Sequence, residues 1–369
     1  MYMMPILRPT VAEVDLKKLA RNMRKVHEQA GEGVRVLTVL KANAYGHGAV
    51  PLGLFLEKNK LSDFFGAASV EEALQLRQAG VTLPILVLGS IYPFEAFEYA
   101  IKNNIAITIA SLDAAKAVCE IAEKIGKKAL CHVKQDTGMG RIGTRRGGVF
   151  NVIEYLDKNP HVILDGLFTH LSSVETDPAY TEEQIGYYRD TLTNVHLKGI
   201  HINYCHVAAS SAITARPDVH YDMVRTGHSA FGLEAGFEPI LSLKTRVVYV
   251  KGVPAGASIS YNRSFIAPAP MKVATLPLGY GDGYLRALSN KAEVLINGKR
   301  CRVLGNITMD MMMVDITNAG SVKVGDEAVA VGRQGNEEIT YAELAEKAGT
   351  IDYELCTLLM MRVPRIYKE

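Results

Sequence analysis

Cysteine is sparse in this sequence, and none of it is spaced for a metal or a disulfide framework. The five residues among 369 (Cys119, Cys131, Cys205, Cys301 and Cys356) are odd in number, widely scattered and free of CxxC spacing. That argues against a zinc site and a cystine-stapled secreted fold, and suits reduced thiols. No apolar run approaches the roughly 20 residues of a membrane span. The opening MYMMPILRPTVAEVDL has no charged region followed by a long apolar core, and no small-residue cleavage site. A cytoplasmic protein without membrane contact is therefore expected. Net charge is lacking too, and +2 gives no reason to expect nucleic acid or an acidic membrane as partner. There is no linker, low-complexity tract or long charge run, so any domains are expected to pack tightly. No GxGxxG follows the first strand candidate, which weighs against a doubly wound open sheet.

What is present is an ordinary globular composition, 48% hydrophobic and 22% charged, at a length comfortable for two domains. After an opening strand-like piece, Thr10 to Gln29 carries Val11, Val14, Leu16, Leu19, Met23 and Val26 at roughly helical spacing. A repeated rhythm of short apolar run and amphipathic helix follows. The strand candidates are Val34–Leu40, Phe64–Ala68, Ile85–Leu88, Ile105–Ile109, Ala129–Lys134, Val162–Phe168, His201–His206 and Met223–Thr226. Helices fit between them, as at Ser69–Ala79, Leu112–Lys124, Gly148–Lys158 and Glu182–Asn194. Eight βα steps in roughly 200 residues are what a closed (β/α)8, TIM-like barrel requires. From Leu241 onward the pattern changes to short β segments separated by turn signals, with Asn297-Gly298 marking a tight hairpin and one late helix near Tyr341–Lys347. The expected class is α/β, with a barrel over residues 1–237 and a mainly antiparallel β domain over 238–369. About eight leading residues are expected to pack with the β domain.

Chemistry concentrates where the barrel strands end, the face on which such barrels carry their sites. The first strand candidate runs straight into Lys41, followed by Asn43, Tyr45, Gly46, His47 and Gly48 before Pro51 opens a helix. A lysine at a strand's mouth can lose solvation and so form an imine with a carbonyl cofactor. The fifth strand gives Lys134 and then Asp136 to Arg141. The sixth gives His170, the seventh His206 with Ser210 and Ser211, and the eighth Arg225 and Gly227. This face is cationic, and the serines and glycines at its last two strands suit a phosphate cradle. A phosphorylated carbonyl cofactor that takes a lysine imine points to pyridoxal phosphate.

The motifs KANAYGHG, KQDTGMGRIG, LFTHLSS and DMVRTG, with SISYNRSF, PLGYGDGY, NITMDMMMVD, GTIDYE and RVPRIY further on, carry a resemblance over essentially the whole chain. The sequence resembles the bacterial alanine racemases, fold-type III enzymes that use pyridoxal 5'-phosphate. The resemblance implies a homodimer that interconverts L-alanine and D-alanine for peptidoglycan, with sites shared between subunits and no metal. Lys41 would hold the cofactor and serve as one base, and Tyr261, arriving from the partner subunit, as the other. Arg225 would face the pyridine nitrogen with His170 bonded behind it, and Arg141 would reach the phenolic oxygen. Tyr45, Ser210, Gly227 and Tyr353 would bind the phosphate. Arg141, Met309 and Asp310 would help hold substrate, with Tyr280 lining the entrance. Lys134 matches a position often carbamylated in the family. Two departures stand out: Ala209 where the family usually has asparagine, and Asn306 where arginine is common. They leave open a serine or broader-specificity racemase. A non-catalytic pyridoxal-phosphate protein is the remaining alternative, and the β domain with its SISY segment argues against it.

Overall fold

A computed structural model describes residues 7–369 apart from residue 146, so the opening strand-like piece lies largely outside the described residues. The described residues form two compact units. One comprises Ala20–Ala44 and Gly48–Ala230; the other comprises residues 7–19, Tyr45–His47 and Phe231–Glu369.

The first unit is the barrel. Its eight strands are Arg35–Val39, Phe64–Ala67, Ile85–Val87, Ile105–Ile109, Ala129–Lys134, Val162–Phe168, Tyr204–His206 and Met223–Thr226, and every ladder between them is parallel. The strands at Phe64, Ile85 and Ile105 are buried at every position, the consequence of a sheet covered on both faces. Closure between the seventh and eighth strands comes from the Asp222 N–H on the Cys205 carbonyl (3.1 Å) and the Arg225 N–H on the Ala208 carbonyl (3.0 Å). Helices cover the outside with local end signals. Ser69 and Ser111 cap Val70–Gln78 and Leu112–Ile125. Asp177 with Pro178 starts Pro178–Leu197 one turn earlier than the apolar spacing indicates. The seventh strand is shorter than expected, beginning only at Tyr204, and Asn203 just before it donates its side-chain amide to Asp165 (2.9 Å). Among the described residues no helix is long and apolar enough to cross a membrane.

The second unit is built on an antiparallel sheet, with one parallel ladder between Val11–Asp15 and Arg365–Lys368. Here the helical reading of Thr10–Gln29 needs correction. Val11–Asp15 is a strand, also paired with Leu241–Arg246, and the helix begins only at Leu16. Val11 and Val14 suit either period, but Ala12 and Val14 are the buried side of an alternating strand. Asp15 stops it and caps the helix by accepting the Lys18 N–H (2.9 Å). Asn297 and Gly298, at φ 52° and 68°, make the expected two-residue turn between Glu293–Ile296 and Lys299–Leu304. Two late helices occur, Tyr341–Ala348 and Asp352–Thr357.

Candidate active site

Beyond the first barrel strand the Leu40 N–H reaches the Gly66 carbonyl (2.8 Å). The chain then turns left-handed at four successive non-glycine residues, Ala42, Asn43, Ala44 and Tyr45, with φ between 51° and 54°. Such a run costs on the order of 1–2 kcal/mol per residue, so bonds from outside must hold it. Asn43 accepts the Gly48 N–H at its carbonyl (2.8 Å) and the Ala49 N–H at its side chain (2.9 Å). The Glu72 carboxylate takes the Ala42 N–H (2.8 Å) on one oxygen and the Ala68 N–H (2.7 Å) on the other. Glu72 is the third residue of its helix, where a glutamate usually returns to the N-cap; here it staples the lysine turn to the end of the second strand. Lys41 is half-buried. Burial and the Arg141 guanidinium lower its pKa, and Glu72 opposes them.

Glu72→Gln retains one acceptor oxygen, leaves one of the two N–H groups facing an amide NH2, and removes the opposing charge. It should cost about 1–3 kcal/mol of stability and lower the Lys41 pKa further. Acylation of Lys41 in the purified variant, followed by mass spectrometry across pH, should show a midpoint below that of the parent. An unchanged or higher midpoint would contradict the role given to Glu72.

At the far side of the barrel, Arg225 is buried. Its Nη1 donates to His206 Nδ1 (2.9 Å) and the His206 carbonyl (3.1 Å), and its Nη2 to the carbonyls of Thr169 (2.8 Å) and Val207 (2.9 Å). The partner behind Arg225 is thus His206, not His170: the His206 strand adjoins Arg225 in the barrel, and its ring lies flat on Phe168 with centroids 4.7 Å apart. The contacts continue from His206 Nε2 to His132 Nδ1 (3.0 Å) and from His132 Nε2 to Asp165 (3.2 Å). Because a guanidinium only donates, the chain has one polarity: His206 accepts at Nδ1 and donates at Nε2, and His132 does the same. Burial and then Arg225 push the His206 pKa well down, so it stays neutral. Burial alone would raise the Asp165 carboxyl, but the bonds from His132 and Asn203 hold it below the usual carboxylate value. Gly166 makes room for this chain, since a Cβ there would sit 2.1 Å from His132 Nδ1. His132 and Asp165 were missed in the sequence, although a histidine and an aspartate inside the apolar runs ALCHVK and VILDGLF were the available signal.

Lys134 lies on the same face, 5% exposed, its Nζ 4.2 Å from the Phe168 ring centroid. Burial first, then Arg225 and Arg141, push its pKa well below the ordinary lysine value. His170 is driven down to about 3 by burial and by Arg225, Lys134, Arg141 and Lys41. The carboxylates nearby are already committed. Asp136 accepts the N–H groups of Gly138 and Gly140 and pairs with Arg145, while Glu72 serves the backbone. Lys41, Arg141 and Arg225 thus put positive charge at the strand ends, strong enough to push Lys134 and His170 toward neutrality and only partly opposed by Glu72 and Asp136, an arrangement that fits an anionic ligand. Ser210 Oγ accepts long bonds from the N–H groups of Gly227 (3.3 Å) and Ser229 (3.4 Å), a loop that can turn donors toward a phosphate. Ala209 precedes it in extended backbone and supplies no side-chain cap.

The remaining site candidates belong to the β-rich unit. Tyr45 and Tyr353 are neighbours there, with ring centroids 6.4 Å apart; burial and then Tyr353 push the Tyr45 pKa up to about 12, so its hydroxyl remains a donor. Tyr280, Met309 and Asp310 also come together. The Tyr280 N–H meets the Thr308 carbonyl (3.0 Å), and Arg362 joins the Met309 carbonyl (3.2 Å), the Asp310 carboxylate (2.8 Å) and the fully buried Asp282 (2.8 Å). Tyr261 is 69% exposed on a short turn beside Asn306.

The comparisons with known proteins agree across both units. The family described as "Alanine racemase, N-terminal domain" matches residues 14–235, and "Alanine racemase, C-terminal domain" matches residues 240–367. "Alanine racemase 2" of Caldanaerobacter subterraneus is 41% identical over 371 residues, covering 98% of this chain and 95% of that protein. The solved alanine racemase of Clostridium difficile superposes with a TM-score of 0.93 at 37% identity, covering 99% of this chain and 97% of that one. The alanine racemase from Bacillus anthracis, solved with bound L-Ala-P, gives 0.92 at 33% identity over 99% and 96%. Both halves of the sequence, and the folds they adopt, place this chain in the alanine racemase family.

Proposed function

We propose that this protein interconverts L-alanine and D-alanine with pyridoxal 5'-phosphate as cofactor, in the cytoplasm, and so supplies D-alanine for peptidoglycan. The observation that carries the reading is the cluster of basic side chains, Lys41, Lys134, Arg141 and Arg225, gathered at the barrel's strand ends. Family membership supports it, as does the L-Ala-P bound by the Bacillus anthracis relative. When bound, the cofactor supplies an electron-withdrawing ring that stabilises negative charge at the substrate Cα.

The protein's own groups do the rest. Lys41 holds the cofactor through its Nζ, and that nitrogen then takes or returns the Cα proton on one face. The second base is Tyr261 of the partner subunit, acting on the opposite face; two bases on opposite sides suffice for racemisation. Arg225, its orientation held by His206, His132 and Asp165, would hold the ring-nitrogen end of the cofactor. An always-charged guanidinium there would disfavour protonation of that nitrogen and so limit how much charge the ring withdraws. Tyr45, Ser210, Gly227 and Tyr353 take the phosphate, with His170 kept neutral nearby, and Arg141 the phenolic oxygen. Arg141 with Met309 and Asp310, the latter two from the partner subunit, holds the substrate, and Tyr280 narrows the entrance.

A neutral, buried Lys134 amine can add carbon dioxide, forming an N–C bond and releasing one proton. The resulting carbamate offsets the Arg141 charge. Purified protein equilibrated with 13C-bicarbonate should show one carbamate carbon signal that Lys134→Ala removes; a signal unaffected by that variant would refute the assignment. The activity itself is tested by circular dichroism of D-alanine incubated with cofactor-loaded protein. Decay of the signal to zero is expected. Persistence with alanine but decay with D-serine would replace the substrate in this reading.

A further inference from the structure

Asn306 carries no charge, and its side-chain amide has a structural task in this chain. Tyr261 sits in the turn Tyr261–Arg263, entered through Ser260 at positive φ (66°) and left-handed at Asn262 (φ 59°) and Arg263 (φ 53°). Three side-chain-bearing residues at positive φ will not stay there without support. The flanks are secure: Ser258–Ile259 pairs with Phe265–Ile266, and Ile259 and Phe265 pack with Val273 and Leu304. Asn306 secures the tip. Its carbonyl accepts the Ser260 hydroxyl (2.6 Å), its N–H donates to Ser264 Oγ (2.9 Å), and its side-chain Nδ2 donates to the Tyr261 carbonyl (3.0 Å). Gly305 allows this approach, because a Cβ there would lie 2.6 Å from Ser260 Cβ and 2.8 Å from the Ile259 carbonyl. Two of the three bonds use the Asn306 backbone and survive substitution. The one that depends on residue type ends on Tyr261 itself.

We propose that Asn306 is a positioning residue for Tyr261, its amide fixing the left-handed turn that presents the phenol. This rests on the reading of Tyr261 as one of two bases. Removing one neutral hydrogen bond should reduce the occupancy of the working turn about three- to tenfold. Steady-state rates hide the asymmetry, because an equilibrium constant of one between enantiomers forces kcat/KM to change equally in both directions. Exchange of the Cα proton with solvent does not have that constraint.

The test measures initial exchange rates in D2O from L-alanine and D-alanine separately, using cofactor-loaded enzyme. Tyr261→Phe first identifies the enantiomer whose exchange depends on Tyr261. Asn306→Ala should then slow exchange from that enantiomer about three- to tenfold, and from the other less than about twofold. Asn306→Asp, which keeps the shape but turns an oxygen toward the carbonyl, should slow the same enantiomer at least as much. Retained exchange from the second enantiomer shows that the variant is folded and loaded. Equal slowing of both enantiomers, or of neither, overturns the role of Asn306. Equal slowing in Tyr261→Phe itself overturns the two-base reading instead, and the positioning role with it.

Discussion

Lys41→Ala should abolish both cofactor attachment and turnover. The substitution removes the Nζ that links to the cofactor and the same Nζ that moves the proton, so no other side chain can compensate within the geometry. The other amine on this face, Lys134, is buried against Phe168 and held by its own surroundings. Loss of a base and of covalent attachment together should lower kcat by at least about four orders of magnitude, since a positioned acid or base alone contributes about 10²–10⁴. Fold should be little affected. The left-handed turn is held by Glu72 and Asn43, neither of which bonds the Lys41 side chain. Cofactor-supplied Lys41→Ala should therefore unfold near the parent's temperature without cofactor, yet show no visible absorbance band and no racemisation. Racemisation above about 1% of the parent rate would mean that another group does the work.

Mixing two inactive variants should restore activity. If each site combines Lys41 of one subunit with Tyr261 of the partner subunit, Lys41→Ala and Tyr261→Phe homodimers are both inactive. A heterodimer of the two carries one site with both lesions and one with neither. Random reassortment makes half the dimers mixed, each with one intact site of two, so the mixture should recover about one quarter of parent activity. The experiment requires unfolding and refolding the variants together, or co-expressing them with distinct tags and isolating the mixed species. No recovery in a purified heterodimer would place both bases in the same subunit, and full activity in a dilute monomer would remove the dimer requirement altogether.

Most of the barrel was legible because its strands are largely buried on both faces and so read as mainly apolar runs. Ile105–Ile109, Ala129–Lys134, Val162–Phe168 and Met223–Thr226 occur with the boundaries the runs indicate. Val11–Asp15 was not legible. Its apolar spacing also suits a helix, and what decides otherwise is pairing with Leu241–Arg246 and Arg365–Lys368, distant segments whose register a local pattern does not carry. The site divides the same way. Lys41, Lys134 and Arg225 stand out in the sequence because each lies at or just past the end of an apolar run, and the structure places each at or near a strand end. The choice between His170 and His206 behind Arg225 was not local, since it depends on which neighbouring strand brings an imidazole within 2.9 Å of the guanidinium. Glu72 was hidden for another reason: as the third residue after Ser69 it looks like an ordinary helix-start glutamate, and only the fold reveals that it serves Ala42 and Ala68. Asn306 read as a lost charge, whereas its amide bond to the Tyr261 carbonyl belongs to a tight turn brought together by Gly305.

The most direct test of the central claim is chemical trapping at Lys41. Purified protein would be supplied with pyridoxal 5'-phosphate, reduced with borohydride to fix any lysine linkage, digested, and mapped by mass spectrometry. The account predicts one modified lysine, Lys41, with the labelling suppressed when substrate alanine is present during reduction. Modification centred on a different lysine, or none at all, would contradict it.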